Sequence, residues 1–237
     1  MKSVIVTGAS SGIGHATATA FLDAGWRVGL IARRAEPLVA LAERFAGAHP
    51  LPCDVTDADA VAAAFERFEV IAGRLDALFN NAGMFGPSAT PDAVTVEEFD
   101  EVMAVNLRGM FIAARLAFAR MRSQAPQGGR IIMNGSLSAH SPRPGSICYT
   151  TSKHAITGMT RSLSLDGRPF GIACGQIDVG NAESELVAAL KKDRPDMPTM
   201  DVQDVARSVL HMAAMPAEAN VQFMTVMATG MPYIGRG

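Results

Sequence analysis

Short apolar, β-branched runs alternate with alanine-rich helical stretches from residue 3 onward, and that alternation leaves few folds open. Residues 3–7, 27–33, 51–54, 75–80, 130–135, 172–177 and 221–226 read as strands. Residues 12–24, 36–46, 57–71, 95–122, 149–165 and 202–215 read as helices, with a bend expected near Asn106 in the long one. The strand runs are apolar without polar alternation, as expected where both sheet faces are covered. Strands alternating with helices at these connection lengths predict an α/β protein. Its single, doubly wound parallel sheet would carry helices on both faces, because right-handed crossovers put them there. No Pro/Ser/Gly tract divides the 237 residues, so one domain spanning 1–237 is expected. Residues 178–200 are the least regular, with charges, Pro195, Pro198 and few β-branched side chains, which predicts a mobile flap.

Composition narrows the function classes. The formal charge of −2 supplies no strong field for nucleic acid or an anionic membrane, and neither is expected as a partner. Cys53, Cys148 and Cys174 are too few and too far apart for a disulfide framework or a paired zinc knuckle. No two of the five histidines have metal-ligand spacing, so no metal is expected. The chain enters a strand-like run at once, which leaves no room for a signal peptide, and no run of 18 apolar residues is evident. A soluble, cytoplasmic protein is the expectation.

The run Thr7-Gly8-Ala9-Ser10-Ser11-Gly12-Ile13-Gly14 ends the first strand and opens the first helix. Glycines there let the backbone turn tightly and approach a pyrophosphate, while N–H groups at the helix N-terminus face the anion. An ordinary glycine-rich turn would carry the same letters. The position, strand before and helix after at the first crossover, favours phosphate binding.

The spacing is Gly-x-x-x-Gly-x-Gly, and with the motifs that follow it resembles classical short-chain dehydrogenases/reductases. Cys53-Asp54-Val55, Asn80-Asn81-Ala82-Gly83, Asn106, Ser136 and Tyr149-x-x-x-Lys153 occur in that family's order, and the likeness runs from Val4 to about Val226. The resemblance implies a Rossmann-type fold and a nicotinamide dinucleotide held by Gly8, Ser10, Ser11, Ile13, Asp54, Val55, Asn81, Tyr149, Lys153 and Ser184. It also implies a catalytic set of Asn106, Ser136, Tyr149 and Lys153. The helices at 95–122 and 149–165 would face a second subunit, in a homodimer or homotetramer.

The second strand ends Ala32-Arg33-Arg34, with no acid to accept a ribose 2′-hydroxyl. In the family alignment Ala32 takes the acidic position and Arg33 the next. A guanidinium can fork onto a 2′-phosphate, so NADP(H) is expected over NAD(H), with Arg33 as its contact. The alternative, that Arg33 and Arg34 are solvated charges at a strand end, stays open.

Tyr149 and Lys153 lie four apart and project from one helix face. A phenol titrates near pH 10, and a nearby ammonium is expected to pull it down towards a working acid–base range. Ser136 would hydrogen-bond the substrate oxygen as charge develops on it. In the family reading Asn106 holds a water that relays protons to Lys153, and Lys153 also bonds the nicotinamide ribose; Asn106 as a kink residue is the other reading. Together these imply hydride transfer between NADP(H) and a carbonyl or secondary alcohol, most simply ketone or aldehyde reduction. A dinucleotide-binding regulatory protein without turnover is the alternative.

Some features stay open. Half of the 14 methionines fall in the last 41 residues, from Met197 to Met231, fitting a substrate flap, a subunit contact or core. Cys148 beside Tyr149 reads as a buried, inert thiol. Where the family has Pro-Gly and later Thr, this chain has Val179-Gly180 and Ser184. Asp178, Asn181 and Glu183 should make that edge of the nicotinamide pocket polar. The short flap favours small carbonyl substrates.

Overall fold

The structure, a computed structural model, describes residues 1–184, 187–188, 191 and 195–234. Seven parallel strands form one sheet: β1 (Ser3–Thr7), β2 (Arg27–Ala32), β3 (Ala48–Pro52), β4 (Ala77–Asn80), β5 (Gly129–Asn134), β6 (Ile172–Val179) and β7 (Phe223–Val226), in the order β3-β2-β1-β4-β5-β6-β7. The helices are α1 (Gly12–Asp23), α2 (Glu36–Arg44), α3 (Ala58–Ala72), α4 (Val96–Met103), α5 (Met110–Ser123), α6 (Ile147–Gly167) and α7 (Val202–Ala214). This is the doubly wound, Rossmann-type sheet expected from the alternation.

Successive side chains on a strand leave opposite faces, and here both faces are apolar. Val4, Val6, Val28 and Leu30 pack under Phe21 of α1, Leu38 and Leu41 of α2, and Val209 of α7. Ile5, Ile31, Leu78 and Ile131 pack under Phe68 of α3, Met110 and Ala117 of α5, and Ile156 of α6. Helix starts follow their capping chemistry. The Asp57 carboxylate accepts the Asp59 and Ala60 N–H groups ahead of α3, and Thr95 and Glu98 form a reciprocal capping box ahead of α4.

One expectation needs correction, and two gain detail. The third strand lies at Ala48–Pro52 rather than 51–54. It carries Pro50 and Pro52 because it is the sheet's outer strand, where one side has no partner needing an N–H. The bend near Asn106 is a π-helical stretch, Ala104–Gly109, between α4 and α5. And the continuous run Val96–Ser123 is long and apolar enough, by length and composition, to cross a membrane, with a mean hydropathy of 1.4 over its best window. Its apolar side is instead spent on the sheet: Ile112, Ala113, Ala117 and Met121 are buried there.

Candidate active site

The sheet order reverses between β1 and β4, and ligands of such sheets bind at the carboxyl ends of strands beside that point. A cavity of about 1210 Å³ opens there. Its floor is the glycine loop, where Gly8, Ser10, Ser11 and Ile13 all line it. A β-carbon on Gly14 would fall 2.1 Å from the Gly8 carbonyl oxygen and 2.6 Å from Asn81 Nδ2, so the loop closes only with glycine there. Gly8 adopts φ +70°, a conformation side chains rarely accept. Ser11 precedes α1 without a side-chain capping bond, leaving the helix's first N–H groups for an anion. Asn81 is the tie that holds this floor. Its N–H donates to Thr7 Oγ1 at 2.8 Å, its Nδ2 to the Thr7 carbonyl at 2.9 Å, and its Oδ1 accepts from Asn134 Nδ2 at 2.8 Å.

At one end of the cavity stand Ala32, Arg33 and Arg34 with Asp54 and Val55. The Asp54 carboxyl is held below its ordinary value first by the Thr56 N–H, at 2.9 Å, then by the Thr56 hydroxyl and the Arg33 charge, against burial. At the other end Ser136, Tyr149 and Lys153 face the same space. Lys153 is 3% exposed. Its Nζ donates to the Asn134 carbonyl at 2.7 Å and sits 5.5 Å from the Tyr149 ring centroid. The ring of Phe85 meets Tyr149 edge-on at 4.9 Å, fixing the phenol's plane.

The electrostatics run against one expectation. Burial pushes the Tyr149 phenol up rather than letting it fall; a hydrogen bond with Ser136 and the Arg143 charge oppose that push, and Asp178 adds to it. Burial pulls Lys153 down to about 8, with Asp178 opposing. Desolvation outweighs the nearby cations because Lys153 is buried, and Tyr149 half-buried, in the cavity wall.

The expected residues are not all brought together. Asn106 is fully buried and does not line the cavity. Its Oδ1 accepts the Met84 N–H at 2.8 Å, and its Nδ2 donates to the Met84 carbonyl and to Ser152 Oγ, so the side chain ties the π-helical stretch to the loop after β4 and to α6. Of the three polar residues expected at the nicotinamide edge, only Asn181 faces the cavity. Asp178 turns beneath Ser136, and Glu183 is exposed, bonded to Lys191 and Thr199. Ser184 lines the cavity, as expected, with Oγ accepting the Val187 N–H at 3.3 Å.

The segment read as a flap is stitched at its ends: the Met200 N–H donates to the Asn181 carbonyl and the Glu183 N–H to the Met200 carbonyl. Residues 185–186, 189–190 and 192–194 of that segment lie outside the described residues. Its Pro195, Met197 and Pro198 line the cavity. The methionines divide: Met212 is core, while Met197 and Met231 face the cavity. Cys148 is buried, as expected. Sequence reasoning missed Tyr233, Arg143 and Phe85 as cavity residues. Only the proximity of Arg143 to Tyr149 in sequence pointed that way.

A glycine loop at the reversal point of a parallel sheet, with a Tyr–Lys pair lining the same cavity, defines a dinucleotide-binding oxidoreductase site. The chain belongs to the short-chain dehydrogenase family: a family profile described as "short chain dehydrogenase" matches residues 2–195. It is 36% identical over 230 residues to 2-(R)-hydroxypropyl-CoM dehydrogenase of Xanthobacter autotrophicus, covering 92% of this chain and 89% of that protein. It is 30% identical over 238 residues to sulfoacetaldehyde reductase 2 of Chromohalobacter salexigens, covering 95% and 94%. The crystal structure of a 3-ketoacyl-(acyl-carrier-protein) reductase from Brucella melitensis, complexed with NADH, superposes with TM-score 0.88 at 25% identity, covering 95% and 96%. A serine dehydrogenase complexed with NADP+ shares the fold, with TM-score 0.89 at 22% identity. The family binds nicotinamide dinucleotides and acts on small molecules.

Proposed function

We propose that this chain is an NADP(H)-dependent reductase of a small ketone or aldehyde. One observation carries the reading: Ser136, Tyr149 and Lys153 face the same continuous cavity as the glycine loop and Arg33. The residues fit a dinucleotide, because the glycine cradle would be filled by a single β-carbon at Gly14, and the start of α1 is uncapped. Gly8, Ser10, Ser11 and Ile13 would hold the pyrophosphate, Asp54 and Val55 the adenine, and Asn81, Lys153 and Ser184 the nicotinamide half. Arg33, with no acid at Ala32, supports a 2′-phosphate contact.

A bound reduced nicotinamide supplies a hydride to the carbonyl carbon. Ser136 Oγ donates to the carbonyl oxygen and stabilises the charge growing there. Tyr149 gives that oxygen its proton, and burial keeps the phenol in this proton-donating form. Lys153, anchored on the Asn134 carbonyl, fixes the helix face from which Tyr149 works.

The chain would act as one unit over residues 1–237. Exposed Phe111 on α5 and Leu165 on α6 support a homodimer or homotetramer through these helices. The unpaired thiols Cys53, Cys148 and Cys174 suit a reducing cytoplasm. A panel of carbonyls and alcohols, followed at the reduced nicotinamide absorbance with NADPH and NADH side by side, tests the reading. Tyr149→Phe should abolish turnover and keep NADPH binding. Tight nucleotide binding without turnover across the panel would instead support a regulatory binder.

A further inference from the structure

Asp178 takes no part in the steps above, yet it is only 1% exposed and sits directly behind them. It lies two residues from Gln176 on β6, so both side chains leave the same face of the strand. Its Oδ1 accepts the Ser136 backbone N–H at 3.0 Å and Gln176 Nε2 at 2.7 Å, and its Oδ2 lies 2.8 Å from His140 Nε2. Gln176 carries the network on to α6: its Nε2 donates to Thr157 Oγ1 at 3.0 Å and its Oε1 accepts from Thr160 Oγ1 at 3.1 Å. Gly135 belongs to the same arrangement, since a β-carbon there would fall 2.1 Å from Asp178 Oδ1. His140, its side chain 38% exposed, links the carboxylate to solvent. One connected set thus joins the strand, the loop that presents Ser136 and the helix that presents Tyr149 and Lys153.

We propose that Asp178, oriented by His140, is a positioning residue that fixes the backbone of Ser136 and sets a buried carboxylate behind the residues that α6 presents to the cavity. Its consequence for turnover rests on the reductase reading; its consequence for Lys153 does not. The titratable groups facing this carboxylate are His140 from the loop after β5 and Tyr149 and Lys153 from α6, while Arg143 bears on Tyr149 in the opposite sense. A buried carboxylate favours the protonated forms of both α6 groups, and removing its charge makes both easier to deprotonate.

Asp178→Asn removes the charge while its amide Oδ1 can still accept from Ser136; at Oδ2 it puts a donor where His140 met an acceptor, so the His140 variants read that contact separately. The full chain, labelled with [13Cε]lysine, contains Lys2, Lys153, Lys191 and Lys192, and Lys153→Met assigns the Lys153 signal by NMR. The Lys153 midpoint should stand near its value of about 8 in the native chain. It should fall in Asp178→Asn by on the order of one pH unit. An unchanged or raised midpoint overturns the proposal. The second arm stands if Asp178→Asn does not fold. His140→Ala should lower kcat roughly tenfold with the NADPH Kd unchanged, and His140→Gln, which restores a side-chain N–H towards Oδ2, should recover most of it. A kcat in His140→Ala within about twofold of native, or no recovery in His140→Gln, also overturns it. A shifted Lys153 midpoint in a protein that reduces no carbonyl upholds the charge assignment and removes the reductase reading.

Discussion

Gly14→Ala is the sharpest test of the cradle. The added β-carbon would lie 2.1 Å from the Gly8 carbonyl oxygen, where ordinary contact begins at 3.4 Å, so about 1.3 Å must be found. The obstacle is backbone, and its neighbour Gly8 is already committed to φ +70°; on the second side, Asn81 Nδ2 at 2.6 Å is tied to the Thr7 carbonyl. The loop must therefore move by roughly an ångström, which takes at least one N–H out of reach of a bound phosphate. A hydrogen bond to a charged group is worth about 1.5–3 kcal/mol, so NADPH should bind about 10- to 150-fold more weakly. Fluorescence titration of NADPH reads this directly, with circular dichroism melting to report folding. Gly25→Ala is the control. Gly25 also has positive φ, +78°, but nothing lies within 4 Å of its β-carbon. It should cost about 1–2 kcal/mol of stability and leave the NADPH Kd alone. An unchanged NADPH Kd in Gly14→Ala would refute the argument that this close packing shapes the nucleotide site.

Arg33→Ala should lower NADPH affinity about 10- to 100-fold with NADH little changed, read as the ratio of kcat/KM for the two cofactors; an unmoved ratio would sink the 2′-phosphate contact. Phe21→Ala removes a fully buried ring packed against Trp26, tilted at 58° with centroids 4.9 Å apart, and should cost about 3–5 kcal/mol in urea unfolding; a loss under about 1 kcal/mol would contradict the packing described. Lys153→Met probes pH linkage. Lys153 is held at about 8 in the folded chain, below its unfolded value, so between those values the unfolded state binds more protons and native stability rises with pH. The stability of the native chain relative to Lys153→Met should therefore be poorest below pH 8 and improve as pH climbs from about 8 towards 10.5. A difference flat across that window would contradict the burial of this lysine.

What was legible in the sequence was whatever local chemistry dictates. Strand runs apolar on both faces, a glycine spacing set between a strand and a helix, and a Tyr–Lys pair at helical spacing each carry their reason within a few residues. Asp57 and Thr95 announced their helices in the same way. The third strand was started three residues late because Pro50 argues against a strand unless it is known to lie at the sheet edge, which topology alone decides. Tyr233 had no signal at all, since a tail reaches the cavity only through the return of the chain after β7.

Asp178 is the instructive case, because its signal was present and read in the wrong direction. Next to Val179-Gly180 it looked like part of the nicotinamide edge, where polarity would meet the ligand. Strand periodicity says otherwise. Gln176 and Asp178 are two polar residues on one face of an interior strand, and a buried parallel strand tolerates such a pair only when every polar atom has a partner. The partners are spread over the chain, at Ser136, His140, Thr157 and Thr160, so no local window could reveal them. Once assembled, they explain why residue 135 is glycine, why Ser136 is held where it is, and why a buried lysine keeps a negative charge nearby. A pair of polar residues two apart on an otherwise apolar central strand therefore points inward, to a network, before it points to a ligand.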